Sequence, residues 1–199
     1  MPGRGGAMAV NGTGEGLKGR ILDEAAALFV THGYHGLSMR QIAETVGVSK
    51  AGLYYHFEDK EALFLAILLH HIARVGELVD EARSEAGGAR AQVRRLLTQI
   101  LSHMRGSQRF IRLAEQDAAS LSPESLQRMH AAYRQRFTGP IEAILAEGVE
   151  SGELRRLDPG QATWLLLGMA LSGLSTPADK VDEAVALIEG VFFEGVLAR

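Results

Sequence analysis

The feature that most constrains this fold is a pair of short helix signals near the N-terminus. Ser38 is a favourable N-cap, and Gln41 follows it at capping-box spacing, which predicts a helix over residues 39–46. Gly47 can take the left-handed conformation that ends a helix, and Ser49 caps a second short helix almost at once. A turn this tight makes the two helices cross, so the sequence predicts a helix-turn-helix.

The second of these helices, expected to end near Phe57, combines an apolar contact face with a polar outer face. The apolar contact between the two helices is assigned to Ile42, Ala43, Val48 and Leu53. The outer face carries polar-tipped side chains and two small residues that allow close approach to bases: Lys50, Tyr54, Tyr55 and His56, with Ala51 and Gly52. Ser49 and Lys50 lie at the helix N-terminus, where backbone amides favour phosphate, and Lys60 begins the next helix in a similar position.

Bulk charge gives no support for nucleic-acid binding, so the argument depends on where the charges lie. The chain of 199 residues has a formal net charge of −3, and residues 1–60 carry six basic and six acidic side chains. Two short packed helices also occur for structural reasons alone, and a tyrosine can then be a packing group with a solvated hydroxyl. The Tyr-Tyr-His cluster between Lys50 and Lys60 favours DNA binding over that alternative.

From residue 21 to about residue 68 the chain resembles the TetR (tetracycline-repressor-type) family of transcriptional regulators. The resemblance rests on the sequence VSKAGLYYHF at residues 48–57, on KEAL at residues 60–63, and on AAALF at residues 25–29 followed by Gly33-Tyr34. It implies that base contacts come from Arg40, Lys50 and Ala51. It also implies that phosphates are held mainly by Ser38, Ser49, Tyr54, Tyr55, His56 and Lys60.

The same resemblance implies partners for the protein. These are a double-stranded DNA operator, a small-molecule effector bound by the C-terminal helices, and a second copy of the chain in a homodimer. Loss of repression on effector binding is the family's common arrangement, so a repressor is expected, with an activator as the alternative. The effector, the operator sequence and the target genes are left open.

Beyond a glycine-rich tail over residues 1–16, every segment is typical of a helix, so the predicted fold class is all-α. A three-helix DNA-binding domain is expected over residues 17–60, joined to a larger helical regulatory domain over residues 61–199 that binds ligand and dimerises. The remaining predicted helices cover residues 17–32, 60–83, 89–104, 108–119 and 123–148, one opened by Asp158-Pro159, and 179–197. Pro140 lacks an amide hydrogen, so we expect a kink or break there.

The candidate effector site lies in the helices from residue 89 onward, which hold more apolar side chains than a thin bundle needs. The candidate residues are Met104, Arg109, Arg112, His130, Tyr133 and Trp164. Arg109 and Arg112, with Glu115 near the same face, form either a solvated surface or a polar grip on an acidic ligand, and His130, Tyr133 and Trp164 are either core or pocket lining. An apolar pocket would suit acyl chains or drugs, and converging arginines would suit an acidic metabolite or acyl-CoA.

The last two predicted helices carry wider apolar surfaces than packing within one subunit requires. Pairing them with the same helices of a second subunit would form a two-fold four-helix interface. The candidate interface residues are Trp164, Leu167, Leu171, Leu187, Ile188, Val191 and Phe192. The alternative is a monomer in which these helices are central to its own core.

Other classes of function find no support in the sequence. It has neither a Ser-His-Asp arrangement with a nucleophile turn nor a glycine loop for phosphate, so an enzyme is not expected. The chain has no cysteine, and the pairs His32/His35 and His70/His71 lack converging carboxylates, so neither a metal nor another cofactor is expected. The tail does not resemble a signal peptide, and no run reaches the ~18 uncharged apolar residues of a membrane span, so we expect a cytoplasmic protein without membrane contact.

Overall fold

The computed structural model describes residues 14–104 and 106–196, with side chains described over 16–104 and 106–194. These residues form helices and connecting turns without a strand, which confirms the all-α prediction. The helices are α1 (Gly14–His32), α2 (Met39–Val46), α3 (Lys50–His56), α4 (Lys60–Arg83), α5 (Gly88–His103), α6 (Gln108–Asp117), α7 (Pro123–Tyr133), α8 (Gly139–Glu150), α9 (Pro159–Gly173) and α10 (Val181–Val196). The predicted tail lies outside the described residues except for residues 14–16, which belong to α1.

Local caps determine where α2 and α3 begin and end. The Ser38 hydroxyl accepts a hydrogen bond from the Gln41 amide, and the Gln41 side-chain oxygen accepts one from the Ser38 amide at 2.9 Å, so both halves of the capping box form. Gly47 has a φ of 74° and ends α2 in the left-handed conformation. The Ser49 hydroxyl accepts from the Gly52 amide at 2.9 Å and starts α3. The predicted turn between the two helices is therefore built as the sequence indicates.

Residues up to Ile67 form a compact unit, called unit 1 here. Its helices contribute fully buried side chains to one core, among them Ile21, Phe29, Ile42, Leu53 and Phe64. The ring of Phe64 lies 5.3 Å from that of Phe29 and 5.1 Å from that of Tyr34, measured between centroids. Each such buried side chain contributes about 1.5–3 kcal/mol, so this small core can hold α2 and α3 in fixed positions.

Residues from Leu68 onward form a second compact unit, called unit 2, with its own core. Helix α5 is central, because it packs against α8, α9 and α10, and α8 packs in turn against α9. The α5 side chains that enter this core are Val93, Leu96, Leu97, Ile100 and Leu101. Unit 2 thus has a single layered helical core organised around α5.

An ion cluster connects α10 to α5 within unit 2. The buried carboxylate of Glu189 accepts a hydrogen bond from Arg94 Nε at 2.7 Å and another from Arg90 Nε at 3.1 Å. Burial alone would raise the pKa of Glu189, but the hydrogen bonds from Arg94 and Arg90 outweigh it and lower the pKa. Glu189 therefore stays ionised and fixes the face that α10 turns toward α5.

The interruption expected near Pro140 is a π-helical turn over Arg134–Thr138 rather than a break. The Gly139 amide donates to the carbonyl of Arg134, five residues back, and Pro140 has no amide to donate to the carbonyl of Arg136, four residues before it. Helix α4 approaches this turn closely at Gly76, where an added Cβ would lie 2.9 Å from the Arg136 carbonyl oxygen. Glycine at position 76 is what permits the contact.

Among the described residues, one helix, α4, is long and apolar enough to cross a membrane by length and composition. Nearly half of its most apolar stretch is buried inside the structure. The core helices of water-soluble proteins have the same combination of length and burial, so α4 gives only weak evidence for a membrane span.

Candidate functional site

The side chains predicted to meet DNA lie together on the outer face of α3. Lys50, Ala51 and Tyr54 are exposed, and Tyr55 is 85% exposed. Leu53, on the opposite side of the helix, is fully buried in unit 1. A tyrosine this exposed contributes little packing within its own unit, so its ring and hydroxyl are available to another molecule.

The neighbouring residues of α3 differ in how much of their surface is free. The Lys50 ammonium lies 5.7 Å from the centre of the Tyr54 ring, a weak cation–π contact at an exposed site. His56 is half-buried, with its ring 5.1 Å from that of Tyr55 and 6.2 Å from that of Phe57. Gly52 leaves the middle of the helix without a side chain. The outer face of α3 therefore carries the positive charge of Lys50 and several hydrogen-bonding groups, and it has no side chain at Gly52 in the middle of the helix.

Arg40 and Ser38, the candidates at the start of α2, are both exposed and already have partners. Arg40 Nε lies 3.1 Å from the Glu44 carboxylate one turn later, with both side chains largely in solvent. An exposed pair at this spacing is worth about 0.3–0.5 kcal/mol, so Arg40 can exchange Glu44 for another acceptor at little expense. The Ser38 hydroxyl donates to the Gln41 side chain at 2.7 Å, so it stabilises α2 whatever else it contacts.

Lys60 has surroundings that its sequence position does not reveal. Its ammonium donates to the backbone carbonyls of Tyr34 at 2.9 Å and Leu37 at 3.0 Å, and it lies 4.3 Å from the centre of the Tyr34 ring. The side chain therefore fastens the start of α4 to the segment before α2 inside unit 1. The phosphate contact implied by the family resemblance stays a prediction, made by a group with two structural partners.

The predicted effector residues are not brought together as a group. Met104 is buried in the core of unit 2, and the ring of Tyr133 lies 6.4 Å from that of Trp164. Burial raises the pKa of the Tyr133 hydroxyl, and the charge of Glu115 raises it further. Arg109, Arg112 and His130 are exposed instead, because they lie on the outward faces of α6 and α7. The exposure of Arg109 and Arg112 matches the solvated surface that was the alternative to a polar grip. The exposure of His130 matches neither of its expected roles, core or pocket lining.

The predicted dimer residues divide into two groups. Ile188 is 8% exposed and Phe192 4% exposed, because both belong to the hydrophobic core of unit 2, and their assignment to the subunit interface is therefore corrected to the core. Leu167 is half-buried. The remaining candidates are exposed, together with Leu165, which shares their surface: Trp164, Leu171, Leu187 and Val191. We call these five exposed side chains the α9–α10 patch.

The structure also shows polar groups that the sequence analysis missed. Three buried side-chain atoms have no hydrogen-bond partner among the described residues, namely His71 Nε2, Gln99 Oε1 and Thr163 Oγ1. In the sequence His71 was considered only as half of a histidine pair without converging carboxylates, and Gln99 and Thr163 carried no signal. The Glu189 cluster was also missed, because Arg94 lies 95 residues from its partner and only tertiary packing joins them.

Comparison with known proteins covers most of the chain. The family model described as "Bacterial regulatory proteins, tetR family" matches residues 21–67, and the one described as "Tetracyclin repressor-like, C-terminal domain" matches residues 86–172. The first match contains the whole turn and the outer face of α3. The second covers α5 to α8 and most of α9.

Three similar proteins illustrate the range of the match. The HTH-type transcriptional repressor AcnR of Corynebacterium diphtheriae is 46% identical over 61 residues, 31% of this chain and 32% of that protein, so the matched region spans about a third of its length. The HTH-type transcriptional regulator RutR of Escherichia coli K12 is 28% identical over 92% of this chain and 91% of its own. The structure of AibR, in complex with isovaleryl coenzyme A and operator DNA, has a TM-score of 0.71 at 24% identity, covering 88% of this chain and 97% of that one.

Proposed function

This chain belongs to the tetR family of bacterial regulatory proteins, and we propose that it is a dimeric transcriptional repressor that releases its operator when a small molecule binds unit 2. The observation that carries the proposal is the outer face of α3. There Lys50, Tyr54 and Tyr55 stand exposed on a helix whose other side is fixed in the core of unit 1. This role is binding rather than catalysis, and access to chromosomal DNA requires a cytoplasmic location.

DNA recognition follows from the placement of these groups. Helix α3 enters the major groove, with Lys50 and Ala51 at base edges and Arg40 reaching bases from α2. The tyrosine hydroxyls, His56 and the Ser49 end of α3 hold phosphates on either side. Gly52 supports this arrangement because nothing projects from the middle of the helix, so the backbone can approach the groove floor.

The α9–α10 patch supports dimerisation. In the described part of unit 2 every exposed large hydrophobic side chain lies on one of these two helices. Within α9, Trp164, Gly168 and Leu171 follow one face at helical spacing, and within α10 Leu187 and Val191 do the same. Glycines on both helices, Gly168 and Gly190, face open space, since an added Cβ would meet nothing within 4 Å. A second copy could therefore approach closely and bury the patch as a two-fold four-helix interface.

A dimer of this kind gives the small molecule a way to act on DNA. Two recognition helices must sit roughly 34–36 Å apart to enter successive major grooves of one DNA face. A ligand that binds more tightly to a dimer with another spacing shifts the population away from the DNA-bound form. The isovaleryl coenzyme A and operator DNA of AibR are properties of that protein, and they support here only the combination of an effector and an operator.

The test of DNA binding starts from a random duplex library, since the operator is unknown. The full chain should select a two-fold symmetric site. On that site the Lys50→Ala variant should weaken binding by about 1–3 kcal/mol if Lys50 reads a base. If it only neutralises a phosphate, the slope of log affinity against log salt should fall by about 0.9.

Arg20→Ala is the matched control for Lys50→Ala. It removes one positive charge from an exposed position of α1 in the same unit, and it should leave both affinity and salt slope unchanged. Equal effects of the two substitutions would mean that only net charge matters, and recovery of no sequence from the library would contradict specific DNA binding.

A further inference from the structure

His71 presents a polar atom in the interior of unit 2 that nothing in the described structure satisfies. It lies on α4, with its ring centroid 4.3 Å from that of Phe110 on α6. Its Nε2 atom is buried and has no hydrogen-bond partner among the residues that the structure describes. Burial, together with the charges of Arg74 and His70, lowers the pKa of His71 to about 4, so the imidazole is uncharged at neutral pH. A buried neutral nitrogen beside an aromatic ring is suited to one hydrogen bond to an uncharged group.

Two other orphaned atoms in unit 2 belong to side chains that cannot carry charge. The Gln99 amide nitrogen donates to the Glu81 carboxylate, so the orientation of the amide is fixed and its carbonyl oxygen is the end left without a donor. Thr163 is fully buried on α9, and its hydroxyl also lacks a partner within the described part of the chain. Each unsatisfied buried group of this kind carries a free-energy penalty of about 1–3 kcal/mol, and neither adds a charge to the interior of unit 2.

The basic side chains of unit 2 have the opposite distribution. Every described Lys and Arg between residues 68 and 194 is exposed, including Arg109 and Arg112. Arg90 and Arg94, the two that contact a buried carboxylate, are engaged by Glu189. Since an anion buried in an apolar interior requires a paired cation, the described interior is poorly matched to a carboxylate or phosphate.

We infer that the effector of unit 2 is an uncharged, largely apolar molecule with hydrogen-bonding groups, anchored by His71 Nε2 beside the ring of Phe110. This inference rests on the proposed function, because it names the chemical class of the effector that the repressor answers to. The sequence left open an apolar ligand, such as a drug, and an acidic ligand, such as an acidic metabolite or acyl-CoA. The inference favours the apolar class over the acidic one.

The test compares 2-naphthol with 2-naphthoate, which share a ring system and differ in bearing a neutral hydroxyl or a carboxylate. Binding to the full-length protein is measured by calorimetry at neutral pH. The expected result is that 2-naphthol binds at least tenfold more tightly than 2-naphthoate. His71→Phe, which keeps an aromatic ring beside Phe110, should weaken 2-naphthol binding about tenfold, the size of one lost hydrogen bond. His71→Gln, which keeps an amide near the position of Nε2, should restore most of the affinity.

His103→Phe is the control, since this histidine is exposed on α5 of the same unit, and it should leave 2-naphthol binding unchanged. Tighter binding of 2-naphthoate, no binding of 2-naphthol at about 1 mM, or equal affinity of the His71→Phe variant would overturn the inference. The last result would mean that His71 Nε2 is served by ordered water alone. DNA binding by the same preparations is measured in parallel. If the protein binds DNA but the naphthol results contradict the inference, only the effector class is wrong. If the protein does not bind DNA, the proposed repressor function is contradicted as well.

Discussion

A pair of substitutions in α10 separates a dimer interface from a subunit core. Leu187 and Phe192 lie within five residues of each other, but Leu187 is 69% exposed and Phe192 is 4% exposed. Replacing either with glutamate adds the same charge to the same helix. We expect Leu187→Glu to give a folded monomer and Phe192→Glu to unfold unit 2.

The magnitudes follow from the exposed fractions. Full burial of a leucine side chain is worth about 1.5–3 kcal/mol, and about two thirds of that remains to be gained at Leu187 when a partner covers it. Each symmetric dimer contains two copies of Leu187, so the substitution should weaken dimerisation by about 2–4 kcal/mol, which raises the dimer dissociation constant roughly 30- to 700-fold. Loss of the Phe192 ring from the core destabilises by about 3–5 kcal/mol before the buried charge is added, a large share of the ~5–15 kcal/mol that holds a domain together.

Sedimentation velocity across a concentration series gives the dimer dissociation constant, and circular dichroism during heating gives the stability of each variant. Ala131→Glu is the control, because it introduces the same charge at an exposed position of α7, outside the α9–α10 patch. It should leave both the dissociation constant and the melting temperature close to those of the parent. The single tryptophan of the chain, Trp164, lies in the patch, so its emission should shift to the red when Leu187→Glu separates the subunits.

A Leu187→Glu variant that sediments as the parent dimer does would contradict this interface, because the α9–α10 patch would then face solvent in the assembly. The interface is also refuted if the parent protein is a monomer at micromolar concentration. Unfolding of Leu187→Glu would indicate that α10 is more deeply buried than its exposed fraction shows.

Two further predictions concern stability. Lys60→Met should lower the free energy of unfolding by about 1–3 kcal/mol, because the carbonyls of Tyr34 and Leu37 lose a charged donor. Thermal denaturation would measure this loss. If Lys60→Met changed only the salt dependence of DNA binding, the result would favour the phosphate contact instead. Glu189→Gln should destabilise the protein by about 1.5–3 kcal/mol at neutral pH, as measured by urea denaturation. Because folding lowers the pKa of Glu189, the stability it contributes is fully present above the unfolded pKa, about 4.3 for a glutamate, and is lost as the pH falls from there through the folded value. The difference in stability between the parent and Glu189→Gln should therefore stay constant down to about pH 4.3 and shrink only in more acid solution. A difference that shrinks at higher pH, or one that persists however acid the solution, would contradict the ionised cluster.

Features that depend on residues close together in the chain could be predicted from the sequence. The ends of α2 and α3 follow from Ser38 with Gln41, from Gly47 and from Ser49, each acting within four residues of itself. The outer face of α3 could be predicted for the same reason, since a short helix with one buried leucine must turn its other side chains to solvent. The family resemblance added the roles of those side chains, and the all-α fold followed from helix signals along the whole chain.

Which side of a broad apolar surface is covered could not be predicted from the sequence, because it depends on how the helices pack. The spacing on α10 placed Leu187, Ile188, Val191 and Phe192 in one widened stripe, and packing against α5 divided that stripe into a buried half and an exposed half. The partners of Lys60 and Glu189 were equally hidden, because they lie 23 to 99 residues away in the chain. Helical periodicity indicates which residues share a face, but neighbouring helices determine how much of that face they bury, and no local pattern records where those neighbours lie.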